Sequence, residues 1–134
     1  MKPEKLLKFM ITATLSLALF GCTPDLRIES LTHSPANPTT ADTITFTAVV
    51  KNIGLRPAGS STLALKVGGE TIPKTYSVPS LNAGGRHTVQ RQETLTVAQN
   101  YRNTATADFK NEVRESNETN NQKIDEYTVV TFVK

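Results

Sequence analysis

The chain has 134 residues, of which 15 are Lys or Arg and 12 are Asp or Glu, giving a formal net charge of +3, with one cysteine and no tryptophan. That length fits a single domain of ordinary size. One cysteine excludes an intramolecular disulfide. The basic residues are spread along the chain, with no cluster beyond Arg86 and Arg91, which points away from a nucleic-acid partner.

The chain opens with Lys2, Lys5 and Lys8, then the uncharged run from Phe9 to Phe20, FMITATLSLALF, then Gly21-Cys22. A basic start, an apolar run and a small residue before the cut form the order of a secretory signal. The run falls short of the roughly 20 residues that cross a bilayer core, so cleavage is expected rather than a retained transmembrane helix. Leu19-Phe20-Gly21-Cys22 resembles the lipobox of bacterial lipoproteins. The resemblance implies a cut before Cys22, a thioether-linked diacylglycerol and an acylated amine on that residue, and a membrane as partner. Two or more acyl chains anchor stably, each buried methylene adding about 0.8 kcal/mol. Without modification Cys22 is a free thiol. Thr23 differs from the Asp that retains many lipoproteins at the inner membrane. In a two-membrane host this implies the outer membrane, and in a one-membrane host the outer face of the cytoplasmic membrane. Residues 1–21 are then the signal peptide and 22–134 the domain. Loss of three lysines and one glutamate leaves 12 basic against 11 acidic residues, a net of +1.

Along 22–134 the pattern is of short strands. Leu26, Ile28 and Leu31 suggest the first, and the two prolines of Ser34 to Thr40 exclude a helix or central strand there. From Thr43 to Val50 the alternation is strict, with Ile44, Phe46, Ala48 and Val50 on one face, the signature of a half-buried strand. Asn52 to Gly59 is a loop. Leu63, Leu65 and Val67 alternate next, Gly68-Gly69 predicts a hairpin turn, and Pro73 predicts an edge position for the returning strand over 71–78. Leu81 to Gly85 is a turn. Val89, Leu95 and Val97 are in phase over 87–97, interrupted by Arg91 and Glu93, which a bulge or a solvent-facing strand would explain. Tyr101, Asn103, Ala105, Ala107 and Phe109 share one parity, and 124–133 closes the chain. Seven or so such strands with Gly, Pro and Asn turns predict an all-β, immunoglobulin-like antiparallel sandwich. Its core is expected to hold Phe46, Leu65, Val89, Leu95, Ala105 and Phe109.

The same chain resembles the CARDB family, the cell-adhesion-related domain found in bacteria. Pro24-Asp25-Leu26 matches the family's opening, and Lys51-Asn52-Ile53-Gly54 its Lys-Asn-x-Gly turn. Leu81-Asn82-Ala83-Gly84 is similar to its Leu-x-Ala-Gly turn. The family's closing pattern of Asp, Val-x-Glu and Glu-x-Asn-Asn falls on Asp108, Val113, Glu115, Glu118, Asn120 and Asn121. The resemblance spans about Pro24 to Tyr127 and implies an immunoglobulin-like sandwich used in surface attachment or as an accessory module. It names no ligand, since fold does not determine function.

The segment DFKNEVRESNETNN carries the densest chemistry. Asp108, Glu112, Glu115 and Glu118, with Asn120 and Asn121, supply the carboxylate and amide oxygens that calcium prefers. The spacing is not that of an EF-hand. The competing reading is a solvated structural loop whose side chains bond their own backbone. His33 and His87 lack metal-site spacing and read as exposed loop residues. No Gly-x-Ser-x-Gly or phosphate-cradling glycine loop is present. Glu115 and Glu118 could pair as in a glycosidase only if a pocket raised one pKa. No catalytic residue and no cofactor beyond calcium is therefore expected. The function expected is a lipid-anchored envelope module that presents its loops to an envelope or extracellular protein or a polysaccharide. The alternatives are an envelope scaffold or assembly subunit, and more remotely an enzyme or inhibitor.

Overall fold

The computed structural model describes residues 22–134, so the expected signal peptide, 1–21, lies outside the described residues. Seven strands make up this part: β1 (Leu26–Ser34), β2 (Ile44–Asn52), β3 (Ser61–Lys66), β4 (Lys74–Val78), β5 (Arg86–Glu93), β6 (Gln99–Thr106) and β7 (Gln122–Val129). They form two antiparallel sheets, ordered β1-β2-β5 and β4-β3-β6-β7. The expected sandwich is therefore observed. β4 joins β3 rather than β5, so the division is three and four instead of the four and three of antibody constant domains.

β2 behaves as its alternation requires. Ile44, Phe46, Ala48 and Val50 are buried, and the next residue of that parity, Asn52, is buried with them. β1 explains why Leu31 breaks parity with Leu26 and Ile28. The register slips between Ile28 and Ser30, where Glu29 is the extra residue of a bulge, and the slip returns Leu31 to the core. Leu63, Leu65 and Val67 face the same core from β3 and the turn beyond it. The turn itself is longer than paired glycines suggest. Only Gly68 takes a positive φ, and residues 67–73 all lie between β3 and β4. β4 sits at the edge of its sheet, as Pro73 foretold.

Several expectations fail. Phe109 is 47% exposed, not in the core. Tyr101, Asn103, Ala105 and Ala107 keep their inward parity, but β6 ends at Thr106 and Asp108 adopts a left-handed backbone (φ 47°), which turns Phe109 outward. Nor does β5 bulge or turn its interrupting residue to solvent. Its register with β2 is unbroken from Arg86 to Glu93, and Arg91 points inward in phase with Val89, its side chain only 4% exposed. The guanidinium crosses to the other sheet, where it donates to the Leu65 carbonyl (3.1 Å) and to Glu70, and along its own strand to Glu93 (2.9 Å). Lys74 of β4 reaches the same Glu93 (2.9 Å). This network closes the side of the sandwich between β5 and β4. The strand also ends earlier than expected, leaving Leu95 half-buried against the core and Val97 exposed.

The opposite side, between β1 and β7, is closed by His33. It is not an exposed loop residue: it lies in β1, its Nδ1 is 2.7 Å from Asp125 of β7, its Nε2 donates to the Ala36 carbonyl (3.1 Å), and its ring lies 4.6 Å from that of Tyr127. His87 lies in β5 and is half-buried. Tyr101, near the start of β6, donates its hydroxyl hydrogen to the carbonyl of Val97 four residues upstream (2.9 Å). This is the tyrosine corner of immunoglobulin-like sandwiches.

Truncating Arg91 strands the Leu65 carbonyl and the Glu70 carboxylate. Arg91→Ala is expected to lower unfolding free energy by on the order of 3 kcal/mol, and Arg91→Met by clearly less, since the apolar stem is kept. Urea denaturation midpoints of the two variants check this.

Candidate functional site

The ends of the sandwich are unequal. Residues 22–25, 53–60, 79–85 and 107–121 gather at one pole, hereafter the amino-terminal pole. Its organising residue is Asn52, fully buried at the end of β2. Its Oδ1 accepts the backbone N–H groups of Asp25 (3.1 Å) and Gly54 (3.0 Å), and its Nδ2 donates to the carbonyls of Arg56 (2.7 Å) and Leu81 (3.1 Å). One amide thus spends every donor and acceptor it has on three separate segments. Gly54 follows from the same crossing: a Cβ there would lie 2.4 Å from the Thr23 carbonyl oxygen and 2.6 Å from the Asp25 nitrogen, so only glycine lets the chain pass.

The 107–121 loop packs onto this hub. Asp108 is buried, and its two oxygens accept the N–H groups of Glu112 (2.8 Å) and Val113 (3.1 Å). Val113 plugs the core. Glu115 is buried, and its carboxylate accepts from the Leu26 N–H at the start of β1 (2.5 Å) and from the Asn121 amide (2.7 Å). Glu118 accepts the N–H of Glu115 (3.1 Å), and Asn120 donates to the Asp25 carboxylate (2.9 Å). Asn117 accepts the N–H and hydroxyl of Thr119 in a local turn. The loop's polar side chains therefore do bond backbone, as the structural reading requires.

The fold also brings Asp108, Glu115 and Glu118 together, with one carboxylate oxygen from each within 4.8 Å of the others. Glu112 lies outside this group, its Oε1 accepting from the Thr62 hydroxyl (2.6 Å). Asn120 and Asn121 flank it. Burial pushes the Glu115 carboxyl up to about 7, and the neighbouring Glu118 charge and Asp108 add to the rise, against the lowering by the Leu26 N–H and the Asn121 amide. One of the two glutamates thus has the raised pKa that a glycosidase pair needs, contrary to expectation. The raised group, however, faces the interior, with its oxygens held by Leu26 and Asn121.

Donors are scarce here. Among the described residues, four buried side-chain polar atoms have no hydrogen-bond partner; Asn103 Nδ2 lies within β6, and the other three, Thr23 Oγ1, Asn120 Oδ1 and Asn121 Oδ1, are oxygens of this pole. An oxygen-rich, donor-poor cluster fits a hard cation such as calcium, which gathers carboxylate and amide oxygens. The fit is by donor type and by these orphaned oxygens. Sequence reasoning named the loop residues but missed Asn52, Asp25 and Thr23. The first was legible, since it extends the inward parity of β2 by one step.

An immunoglobulin-like sandwich with an acidic, asparagine-rich loop folded over its amino-terminal pole is the class of protein these features define. The family model that matches is CARDB, over residues 23–125, and the chain belongs to that family. No match is found among the curated proteins. Among solved structures, the chain is similar to the CARDB domain of a Pyrococcus furiosus protein in complex with di-metal ions. The two are 29% identical with a TM-score of 0.72, over 81% of this chain and 90% of that one. It is likewise similar to a domain of a presumed cell surface protein of Methanosarcina acetivorans, at 30% identity and a TM-score of 0.65, over 81% and 93%. A β-glucosidase of Erythrobacter marinus shares the fold alone, at 16% identity and a TM-score of 0.55, with 16% of that chain covered.

A group whose folded pKa lies above its unfolded value binds more protons in the folded state, so stability is lost as pH rises between the two values. For Glu115 that window runs from about 4.5 to about 7. Denaturation in the presence of chelator is expected to show stability falling across this window. Glu115→Gln, which removes the titrating carboxyl and keeps an acceptor for Leu26 at the cost of the bond from the Asn121 amide, is expected to flatten the profile.

Proposed function

We propose that this chain is a lipid-tethered CARDB module of the cell envelope, fixed to the membrane through Cys22, that presents its loops to an envelope or extracellular protein or a polysaccharide. The observation that carries the reading is the lipobox-like Leu19-Phe20-Gly21-Cys22 placed directly before the family domain, which begins at residue 23. The cell-surface assignment of the Methanosarcina relative supports it. Glu115, the carboxylate with the raised pKa, is buried with its oxygens engaged by the Leu26 N–H and the Asn121 amide, which supports a binding rather than a catalytic role. The tether is tested by labelling with radioactive palmitate and fractionating membranes. Label enters the protein, and Cys22→Ser abolishes both label and membrane retention. Unlabelled wild-type protein, or a Cys22→Ser variant that stays on the membrane, overturns it.

Within that role, the loop holds a divalent cation such as calcium at Asp108, Glu115 and Glu118, with Asn120 and Asn121 beside them. The unpartnered amide oxygens support this, as does the metal-bound state of the Pyrococcus relative. A cation would supply charge neutralisation that a proton on Glu115 otherwise provides, so uptake releases a proton and weakens as pH falls below about 7. Millimolar calcium is expected to raise the melting temperature at pH 8 and to do so less at pH 6, and Glu118→Ala is expected to reduce the gain. Titration that gives neither heat nor a melting shift removes the cation from the account.

A further inference from the structure

Three exposed side chains at the amino-terminal pole are used by nothing described so far. In the loop after β2, Leu55 is 74% exposed and Ile53 37% exposed, and Arg56 beside them is exposed as well. Single exposed apolar residues are ordinary on a protein surface. These are set apart by position. Gly54, between Ile53 and Leu55, lies against the backbone of Thr23, Pro24 and Asp25, and the Ile53 N–H donates to the Asp25 carbonyl (2.8 Å). The loop and the chain leaving Cys22 are thus one packed unit. Cys22 is one residue from that contact, and a residue spans at most about 3.6 Å. The attachment point of the acyl chains therefore lies within on the order of 10 Å of Leu55.

The 21 residues before Cys22, basic and then apolar, join the domain at this same place. Whether cleaved to leave an acylated cysteine or retained, they bring the bilayer to this pole. Arg56 and Arg114 are exposed in loops of this same pole, and among the described residues neither makes an ion pair. Apolar side chains next to unpaired arginines suit the boundary between acyl chains and anionic headgroups. Glu112 and Glu118 are exposed at the same pole and oppose this attraction. A cation on the carboxylate cluster would reduce the opposition.

We infer that the 53–56 loop is a membrane-docking element. Leu55 and Ile53 insert at the bilayer interface beside the anchor, and Arg56 and Arg114 take headgroup phosphates. The domain then stands on its amino-terminal pole instead of swinging on a tether, and the loops at the other end face away from the lipid. The inference rests on the anchoring proposed above and adds an orientation to it.

The chain contains no tryptophan, so a single introduced indole reports its own surroundings. The full lipidated protein is reconstituted in vesicles of phosphatidylethanolamine and phosphatidylglycerol, with or without brominated acyl chains, and recovered by flotation. Leu55→Trp is expected to emit further to the blue and to lose about half or more of its emission to the brominated lipid, as an indole held at the acyl boundary does. Val97→Trp, exposed at the opposite pole, is expected to keep its emission. Protein that floats while Leu55→Trp is unquenched, or is quenched no more than Val97→Trp, overturns the docking and leaves the anchor standing. Protein that does not float overturns both.

Discussion

A buried amide with four hydrogen bonds determines how the amino-terminal pole is built. Asn52 has no water to turn to, so each of its bonds must be met by protein, and each unmet one would cost about 1–3 kcal/mol. Meeting them fixes the exit of β2, the path of residues 23–25 and the approach of the 81–85 turn in one stroke. The close crossing at Gly54 and the seating of Leu26 at the start of β1 follow from that path. The 107–121 loop is laid over the same segment, through Glu115 to Leu26, Asn120 to Asp25 and the Ser116 N–H to the Pro24 carbonyl (3.2 Å). The acidic motif and the turn motif, far apart in sequence, are therefore two halves of one fastening.

The two long sides of the sandwich are closed by polar side chains instead of by a disulfide. Arg91 spans from β5 to the β3–β4 turn, and His33 spans from β1 to β7. Both are polar groups in positions where period and parity call for apolar ones. A buried ion pair is weak evidence of stability, because desolvation offsets much of the attraction. What such pairs do provide is a penalty for any other register, since a one-residue slip of β5 would place Arg91 in solvent and leave Glu70 and the Leu65 carbonyl unmet.

Much of this was readable beforehand. The strands of β2, β3 and β6, the edge position of β4 and the two-sheet architecture follow from alternation, β-branched content and the placement of Gly and Pro. The family motifs located the loop and the hub turn. What could not be read came down to single residues where backbone conformation overrides period. The left-handed turn at Asp108 expelled Phe109, and the extra residue Glu29 readmitted Leu31. Parity did point to Arg91 facing inward, but charge argued for solvent. The outcome depended on Glu70 and Glu93 being in reach, which is a tertiary fact. The sequence put Asp108, Glu115 and Glu118 in one candidate set with Glu112, but that the first three converge while Glu112 turns to Thr62 depends on the loop doubling back so that Glu118 reaches the Glu115 N–H.

The bulge at Glu29 does more than correct a parity. By holding an extra residue out of the ladder, it leaves this carboxylate beside Arg86, whose guanidinium grips it with two hydrogen bonds at 2.6 and 2.9 Å, while Lys51 lies 3.9 Å away. The bulged backbone also turns its carbonyl toward Lys123 of β7, at 3.1 Å. One inserted residue thus ties the outer corner of one sheet to the rim of the other. Deleting it would let the ladder close regularly, Ile28 opposite Val50 and Ser30 opposite Val49, with His33 kept on Asp125, but would strip this corner of the carboxylate and carbonyl that gather Arg86, Lys51 and Lys123.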